Sequence, residues 1–275
     1  MRSSRAARAG ITLVLALLLL PALLPTLWML LTAFKGEGQI LRGDTSLLPR
    51  PVETGNFAKA LAAVPFGLYL RNTLVLCALN VLGAVASSAV VAYGFARIPF
   101  RGRRAAFFVM LSTMALPGQA TMVPVFALFR WLGWYGTSLP LVLPSFFGAP
   151  FYIFLLTQFF RTLPEEMAES ARLEGAGDWT ILTRLCLPLS KSALATCALF
   201  QFVATWNDFF GPLLYLNDPR QYTLGYGLQQ FVSAFGSRQT ELMAATALFT
   251  LPVVVLFLFA QRTFIQGIST TGGKT

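Results

Sequence analysis

The sequence contains no histidine and little charge of either sign. Of its 275 residues only 12% are charged, and Asp and Glu together number 11. The missing histidine removes the commonest general base and a favoured metal ligand, which argues against hydrolytic and metal-dependent active sites. Soluble domains carry about 25% charged residues, so this chain lacks the charge that a water-facing surface needs. An ordinary soluble domain is therefore excluded.

Cysteine is too scarce and too scattered to form a structural framework. The three cysteines, Cys77, Cys186 and Cys197, are odd in number and lie far apart, in or beside apolar runs. This spacing excludes a disulfide framework and a cysteine-based metal site, and it predicts small apolar packing residues. We therefore expect no metal and no cofactor, and we do not expect the chain to be an enzyme.

Apolar residues are abundant instead. They make up 56% of the chain, and the mean hydropathy is +0.65. These values predict an integral membrane protein. The net charge of +10 then indicates Lys and Arg in cytoplasmic loops and not a nucleic-acid partner.

Uncharged runs between charged residues predict six transmembrane helices, since a bilayer core needs about 20 apolar residues as helix. The first run is long for a signal peptide and has no clean cleavage site, so we expect it to be retained. Prolines in the third and fourth runs predict kinks. The predicted spans are Ile11–Phe34, Asn72–Ala96, Ala105–Phe129, a fourth near Leu139–Phe160, a fifth from Ser192 to about Tyr215, and Leu242–Gln261. The expected fold is an all-α polytopic membrane protein.

Positive charge predicts the orientation. An even number of spans places both termini on one side, and most Lys and Arg fall on the inside if the N-terminus is cytoplasmic. The loop RIPFRGRR, Arg97–Arg104, alone carries four arginines. Both termini and the loop Glu165–Ser190 are therefore predicted to be cytoplasmic.

The loop EEMAESARLEGAGDWTILTRLCLPLS, Glu165–Ser190, is the one place where acids cluster. Pro164 suits a first helical position, and the glutamates that follow suit a helix N-terminus. Gly175 and Gly177 are expected to end this helix, and Asp178 to cap a second short one. Such short helices need a surface to pack on, and their acidity makes anionic lipid a poor partner. The loop therefore predicts a protein partner.

This loop resembles the EAA loop of permease subunits in bacterial ABC importers. The family pattern is Glu-Ala-Ala, three residues, Gly-Ala, and about ten residues later Leu-Pro. The matching positions are Glu169, Ser170, Ala171, Gly175, Ala176, Leu187 and Pro188. This chain departs at Ser170, where alanine is usual, at Glu174, where aspartate is usual, and at Ser192, near where a further proline is common.

Other segments are similar to the carbohydrate-type branch of that family. They are TWNDFFGPLLYL, YTLGYGLQQF, TALFTLPVVVLFLFAQRTFIQGIS and MALPGQATMVPVF (Met114–Phe126). The best resemblance is to the six-helix permease of maltose and glycerol-3-phosphate importers. It implies a type I importer transmembrane domain. Residues 1–69 would form an N-terminal tail, first helix and external loop, 70–262 the core with its coupling loop 161–191, and 263–275 a cytoplasmic tail.

The resemblance implies a non-catalytic permease of the bacterial inner membrane that forms half of a pathway for a sugar or sugar-like solute. Glycerol-3-phosphate or another polyol derivative is the alternative solute. The implied partners are a second permease, two cytoplasmic ATP-binding subunits and an external solute-binding protein. Residues expected to couple the chain to the ATPase are Glu169, Ala171, Glu174, Gly175, Ala176, Leu187 and Pro188.

The chain offers no motor of its own. Its final residues TTGGKT resemble the end of a phosphate-binding loop, but that motif needs glycine where Ile268 stands. The energy must therefore come from a separate subunit.

Candidate substrate contacts are Trp206, Asn207, Asp208 and Gln119. Asp208 is the one acid inside a predicted span, where charge is costly and tends to be functional. It can also be the polar end of that span, which caps backbone or pairs with an arginine. Four amides inside the predicted spans are expected to join helices or to contact solute: Asn80, Gln119, Gln158 and Gln201.

Two rival functions remain. An ion-coupled secondary transporter would need intramembrane relays of acids or histidines, and Asp208 alone offers itself. A membrane-embedded enzyme would need a cluster of reactive groups at membrane depth, for which the sequence has few candidates.

Overall fold

The computed structural model describes residues 5–233 and 238–271. Within these ranges the regular structure is helical and contains no β-strand, which confirms the all-α prediction. The α-helices are α1 (Arg5–Ala33), α2 (Glu37–Leu41), α3 (Gly55–Ala63), α4 (Phe66–Arg97), α5 (Arg103–Ser112), α6 (Gly118–Trp131), α7 (Leu139–Val142), α8 (Pro150–Thr162), α9 (Glu165–Leu173), α10 (Asp178–Ile181), α11 (Leu187–Leu189), α12 (Lys191–Trp206), α13 (Phe210–Tyr215), α14 (Leu224–Ser233) and α15 (Gln239–Thr271).

Four described segments are long and apolar enough to cross a bilayer, and two bent helix pairs bring the number to six if each pair is one span. The four segments are Gly10–Ala33, Phe66–Arg97, Leu139–Thr162 and Gln239–Phe259. The bent pairs are Arg103–Ala115 with Gly118–Trp131, and Asp178–Leu189 with Lys191–Trp206. The upper count agrees with the six predicted spans.

Three predicted spans are not the continuous helices that their apolar runs suggested. The fourth is interrupted at Gly148 and Ala149, between a 3₁₀ turn and α8. The third is bent by 99° between Ala115 and Gly118. Leu116 is extended there (φ −77°, ψ 120°) because the residue before Pro117 is pushed out of the helical region. The prediction of a kink at this proline is confirmed.

The fifth predicted span was also wrong as a single helix reaching Tyr215. Helix α12 ends at Trp206, and α13 begins only at Phe210. The Asn207 side chain donates a hydrogen bond to the carbonyl of Val203, so the helix end is closed by its own local contacts.

The described chain divides into two compact units: residues up to Phe66 with Gly227–Pro252, and Gly67–Tyr226 with the residues from Val253. In the first unit Lys35 is fully buried. Its ammonium donates a 2.6 Å hydrogen bond to the carbonyl of Ser46 and lies 4.4 Å from the centre of the Trp28 ring. These contacts compensate the burial of a charge.

The core of the second unit lies where α4, α8, α9, α10 and α12 meet. Four residues of this cluster are fully buried: Ala92, Leu156, Phe160 and Cys197. All three cysteines are buried and free, which confirms their prediction as packing residues.

Candidate functional site

Helix α9 begins one residue later than predicted, because Pro164 holds the N-cap position and not the first helical one. Pro164 precedes its first residue, Glu165, and two glutamates occupy the first turn. Its C-terminus closes with two reversed hydrogen bonds: the amide of Gly175 donates to the carbonyl of Arg172, and the amide of Ala176 donates to that of Ala171, both at 2.9 Å. This is the Schellman arrangement, which satisfies carbonyls that the helix leaves open.

Gly175 is required by its backbone. Its φ is +87°, in the left-handed region where a Cβ is unfavourable, and nothing lies within 4 Å of the position that a Cβ would occupy. The predicted helix end at Gly175 is therefore confirmed, and the space around it is open to a partner.

The predicted capping role of Asp178 was wrong. Gly177 holds the N-cap position of α10, and Asp178 is the first residue of the helix. The Asp178 carboxylate instead accepts hydrogen bonds from the Tyr93 hydroxyl (2.8 Å) and from the Arg172 guanidinium (3.1 Å). These bonds, that of Tyr93 first, lower the pKa of Asp178 below its ordinary value. A local sequence window could not reveal a partner on α4, 85 residues away.

The EAA-like residues divide between an inner and an outer face of the loop. Ala171, Ala176 and Leu187 pack against the core of their own unit. Glu169, Glu174, Gly175 and Pro188 are exposed. The alanines therefore hold the loop on the bundle, and the acids and the glycine remain free for contact.

The outer face also carries large apolar side chains that the sequence analysis did not single out. Leu173 is 91% exposed, Trp179 67% and Met167 42%. Apolar residues among acids at the end of a short helix are typical of a protein contact.

A cavity of about 530 Å³ that carries several polar groups lies in the same unit, between α4, the segment Leu141–Pro150, α12 and Thr223. Each long helix contributes residues at the spacing of one helical face. From α4 these are Thr73, Leu76, Asn80 and Ala84, and from α12 and its end they are Gln201, Ala204, Thr205 and Asp208.

Close packing holds the segment Leu141–Pro150 against α4. A Cβ at Gly83 would lie 2.6 Å from Oγ of Ser145 and 2.7 Å from the ring of Phe146, so only glycine permits this approach. The backbone amide of Ala149 donates to the hydroxyl of Ser88 at 3.0 Å. These contacts fix the wall of the cavity opposite α12.

The polar groups of the cavity are amides, hydroxyls and one carboxylate. The Asn80 side chain is 5% exposed and lines the cavity, and no described residue forms a hydrogen bond with it. The Gln201 amide donates to the hydroxyl of Thr205 at 3.1 Å. One oxygen of the Asp208 carboxylate accepts the amide of Gly211 at 3.0 Å. The arrangement can bind a neutral solute rich in hydroxyl groups.

The predicted pathway residues lie in different environments. Asp208 lines the cavity and also caps the turn to Gly211. Trp206 is 1% exposed and stacked on Phe202, with ring centres 5.5 Å apart. Asn207 is exposed, and its amide donates to the carbonyl of Val203. Gln119 is exposed on α6. No ion pair of the described residues includes Asp208, so the arginine partner considered for it is not found there.

Sequence reasoning missed the cavity role of Thr205 and Ser145. The signal for Thr205 was present, because it lies four residues after Gln201 and three before Asp208 on one helical face. Ser145 had no such signal, because its segment is a 3₁₀ turn whose packing on Gly83 is a tertiary feature.

Comparison with known proteins gives one family. The family described as "Binding-protein-dependent transport system inner membrane component" matches residues 80–270. A diacetylchitobiose uptake system permease of Streptomyces coelicolor is 31% identical over 250 residues, 90% of this chain and 82% of the relative. An arabinooligosaccharides transport system permease of Bacillus subtilis is 30% identical over 271 residues, 97% of this chain and 96% of the relative.

The fold is also similar to a solved structure. A chain from a bacterial ABC transporter involved in the import of the acidic polysaccharide alginate superposes with a TM-score of 0.84 at 24% identity. The match covers 96% of this chain and 98% of that one. The shared architecture therefore extends over nearly the whole length.

Proposed function

Because this chain belongs to the family of binding-protein-dependent transport system inner membrane components, we propose that it forms half of the translocation pathway of an ATP-driven sugar importer. It is a multi-pass permease subunit of the cell membrane. The chain offers the ATPase an exposed acidic loop and offers the solute a cavity that carries amides, hydroxyls and a carboxylate.

The proposed solute is a neutral oligosaccharide. Its hydroxyl groups would bond to the amides of Asn80 and Gln201 and to the carboxylate of Asp208, which line the cavity. Relatives named for diacetylchitobiose and arabinooligosaccharide transport support this class. Weak, multiple hydrogen bonds also suit a pathway, since a solute must leave as well as enter.

The chemistry of the cavity argues against glycerol-3-phosphate. None of the described lining residues is Lys or Arg, and Asp208 would repel a phosphate group. A buried anion needs a paired cation or a set of donors. The half of the pathway that this chain contributes therefore favours an uncharged solute.

The proposed partners follow from the two sites. The loop 161–191 would dock on a cytoplasmic ATP-binding subunit through Glu169, Glu174 and the open surface at Gly175. A second permease would complete the bundle, with a second ATP-binding subunit beneath it, and an external binding protein would deliver the solute. With the loop and its arginine-rich neighbours on the cytoplasmic side, both termini are cytoplasmic as well.

The test is reconstitution of the full importer, with its genomic neighbours, in proteoliposomes. We expect ATP-dependent uptake of at least one labelled sugar among diacetylchitobiose, arabinotriose and maltose, and none of labelled glycerol-3-phosphate. Uptake of glycerol-3-phosphate alone would contradict the sugar assignment. Uptake driven by an ion gradient in the absence of ATP would contradict the ABC assignment.

A further inference from the structure

The cytoplasmic end of α4 holds the coupling loop at two points. At the first, the Arg97 guanidinium donates to the carbonyls of Phe160 (2.8 Å) and Leu163 (2.6 Å), where α8 ends and the loop begins. At the second, one turn earlier on α4, the Tyr93 hydroxyl donates to the carboxylate of Asp178, where the loop turns into α10. Tyr93 and Arg97 are four residues apart and share a helical face.

The second point joins three helices. Asp178 of α10 accepts hydrogen bonds from Tyr93 of α4 and from Arg172 of α9 on the same carboxylate oxygen. Tyr93 is only 3% exposed and belongs to the core, whereas Arg172 and Asp178 are about half exposed. The contact with Tyr93 is therefore the more protected of the two, because water and salt screen an exposed ion pair.

The same helix lines the cavity. Asn80 is 13 residues before Tyr93 on α4, about 20 Å along the axis at about 1.5 Å per residue. No proline interrupts α4 between these two positions. Because rigid secondary-structure elements carry coupling between distant sites, α4 is the route from its loop end to the cavity wall.

We propose that Tyr93 and Asp178 are the positioning pair that transfers movement of the coupling loop to α4. The proposal rests on the proposed function, because it assumes that the ATPase moves the loop. In this account Tyr93 contacts neither ATPase nor solute. Loss of its hydroxyl leaves the loop able to dock and the ATPase able to work, while the cavity wall responds less.

The experiment measures opening of the cavity without any solute. Ala204 is an exposed cavity residue, so Ala204→Cys, in a chain whose three native cysteines are replaced by alanine, reports access to a maleimide. Labelling rates are compared in the full complex with and without ATP and vanadate. The variants are Tyr93→Phe, Asp178→Ala and both together, and the matched control is Tyr152→Phe, which removes a hydroxyl from the same core without touching Asp178.

We expect Tyr93→Phe to reduce the ATP-dependent change in labelling about fivefold or more, a usual size for coupling between sites. ATPase subunits should co-purify as with wild type. The double variant should reduce the ATP-dependent change in labelling no further than Asp178→Ala alone, because both substitutions remove the same contact. Tyr152→Phe should behave as wild type.

Two outcomes overturn the proposal. In the first, wild type and Tyr93→Phe show the same ATP-dependent change in labelling. The pair then has no positioning role, and the proposed function stands. In the second, Tyr93→Phe loses the ATPase subunits on purification, which makes the pair a docking support. If wild type itself retains no ATPase subunit or shows no ATP-dependent change, the proposed function fails, and this inference fails with it.

Discussion

The amide of Gly211 donates a 3.0 Å hydrogen bond to the carboxylate of Asp208, and a Cβ at Gly211 would collide with the other carboxylate oxygen. The amide of Gly211 therefore holds the Asp208 side chain in the cavity, and a larger residue at position 211 would displace the carboxylate. Position 211 controls where the one carboxylate of the pathway points.

Gly211→Ala should displace this carboxylate and reduce sugar uptake by about tenfold, because a hydrogen bond to a charged group contributes about 1.5–3 kcal/mol. Uptake in proteoliposomes measures the effect, and co-purification of the other subunits checks assembly. Gly94→Ala is the matched control, since nothing lies within 4 Å of its added Cβ. Equal uptake by both variants would contradict the role of Asp208.

Asn207→Ala tests whether Asn207 belongs to the solute pathway. The amide of Asn207 closes the end of α12 on the carbonyl of Val203. We expect assembly to be retained and uptake to change, because this helix end sets the path of the chain into Asp208. Uptake is compared with that of Asp208→Asn, which leaves the helix end intact. Wild-type uptake by Asn207→Ala would remove this residue from the pathway.

Substitutions at Gly175 separate turn strain from partner contact. Asn and Asp both tolerate the left-handed backbone better than other residues, but only Asp adds charge to the acidic surface. We expect Gly175→Asp to insert normally in the membrane, to weaken ATPase docking and to abolish uptake. Gly175→Asn should keep docking and a reduced uptake. Normal uptake by Gly175→Asp would count against the coupling role of the loop.

The contact of Asp178 predicts an absence of pH dependence. Its pKa is lowered below the ordinary 3.8, chiefly by the Tyr93 hydroxyl, so the contact stabilises the loop above that pH and is lost only as the pH falls through the lowered value. Between pH 8 and 5.5 it stays ionised. The ratio of wild-type uptake to that of Asp178→Asn should therefore be constant over this range. A ratio that falls towards one near pH 5.5 would mean that Asp178 titrates there.

Local features of the sequence predicted the local features of the fold. Uncharged runs marked six candidate spans, and the glutamates and Gly175 marked the bounds of α9, because helix ends are decided by groups within one turn. The EAA-like loop was recognisable for the same reason. Its residues are neighbours in the chain.

The features that were missed depend on distant residues. Asp178 was expected to cap its own helix, but Tyr93 of α4 offered a buried donor. The end of α12 at Trp206 was missed for another reason: Asn207 closes it with a local hydrogen bond to Val203, which hydropathy does not report. Asp208 was singled out by its charge, whereas its neighbours across the cavity, Ser145 and Asn80, are brought to it only by the packing of α4.

The most direct test of the account places a photo-crosslinking residue at position 173 of the assembled importer. Leu173 is 91% exposed at the end of α9, so the change should disturb little of the chain itself. Position 41 on α2, where Leu41 is 68% exposed, is the control. The account predicts a covalent adduct with the ATP-binding subunit from position 173 and none from position 41. An adduct of position 173 with the external binding protein, or with lipid alone, would contradict it.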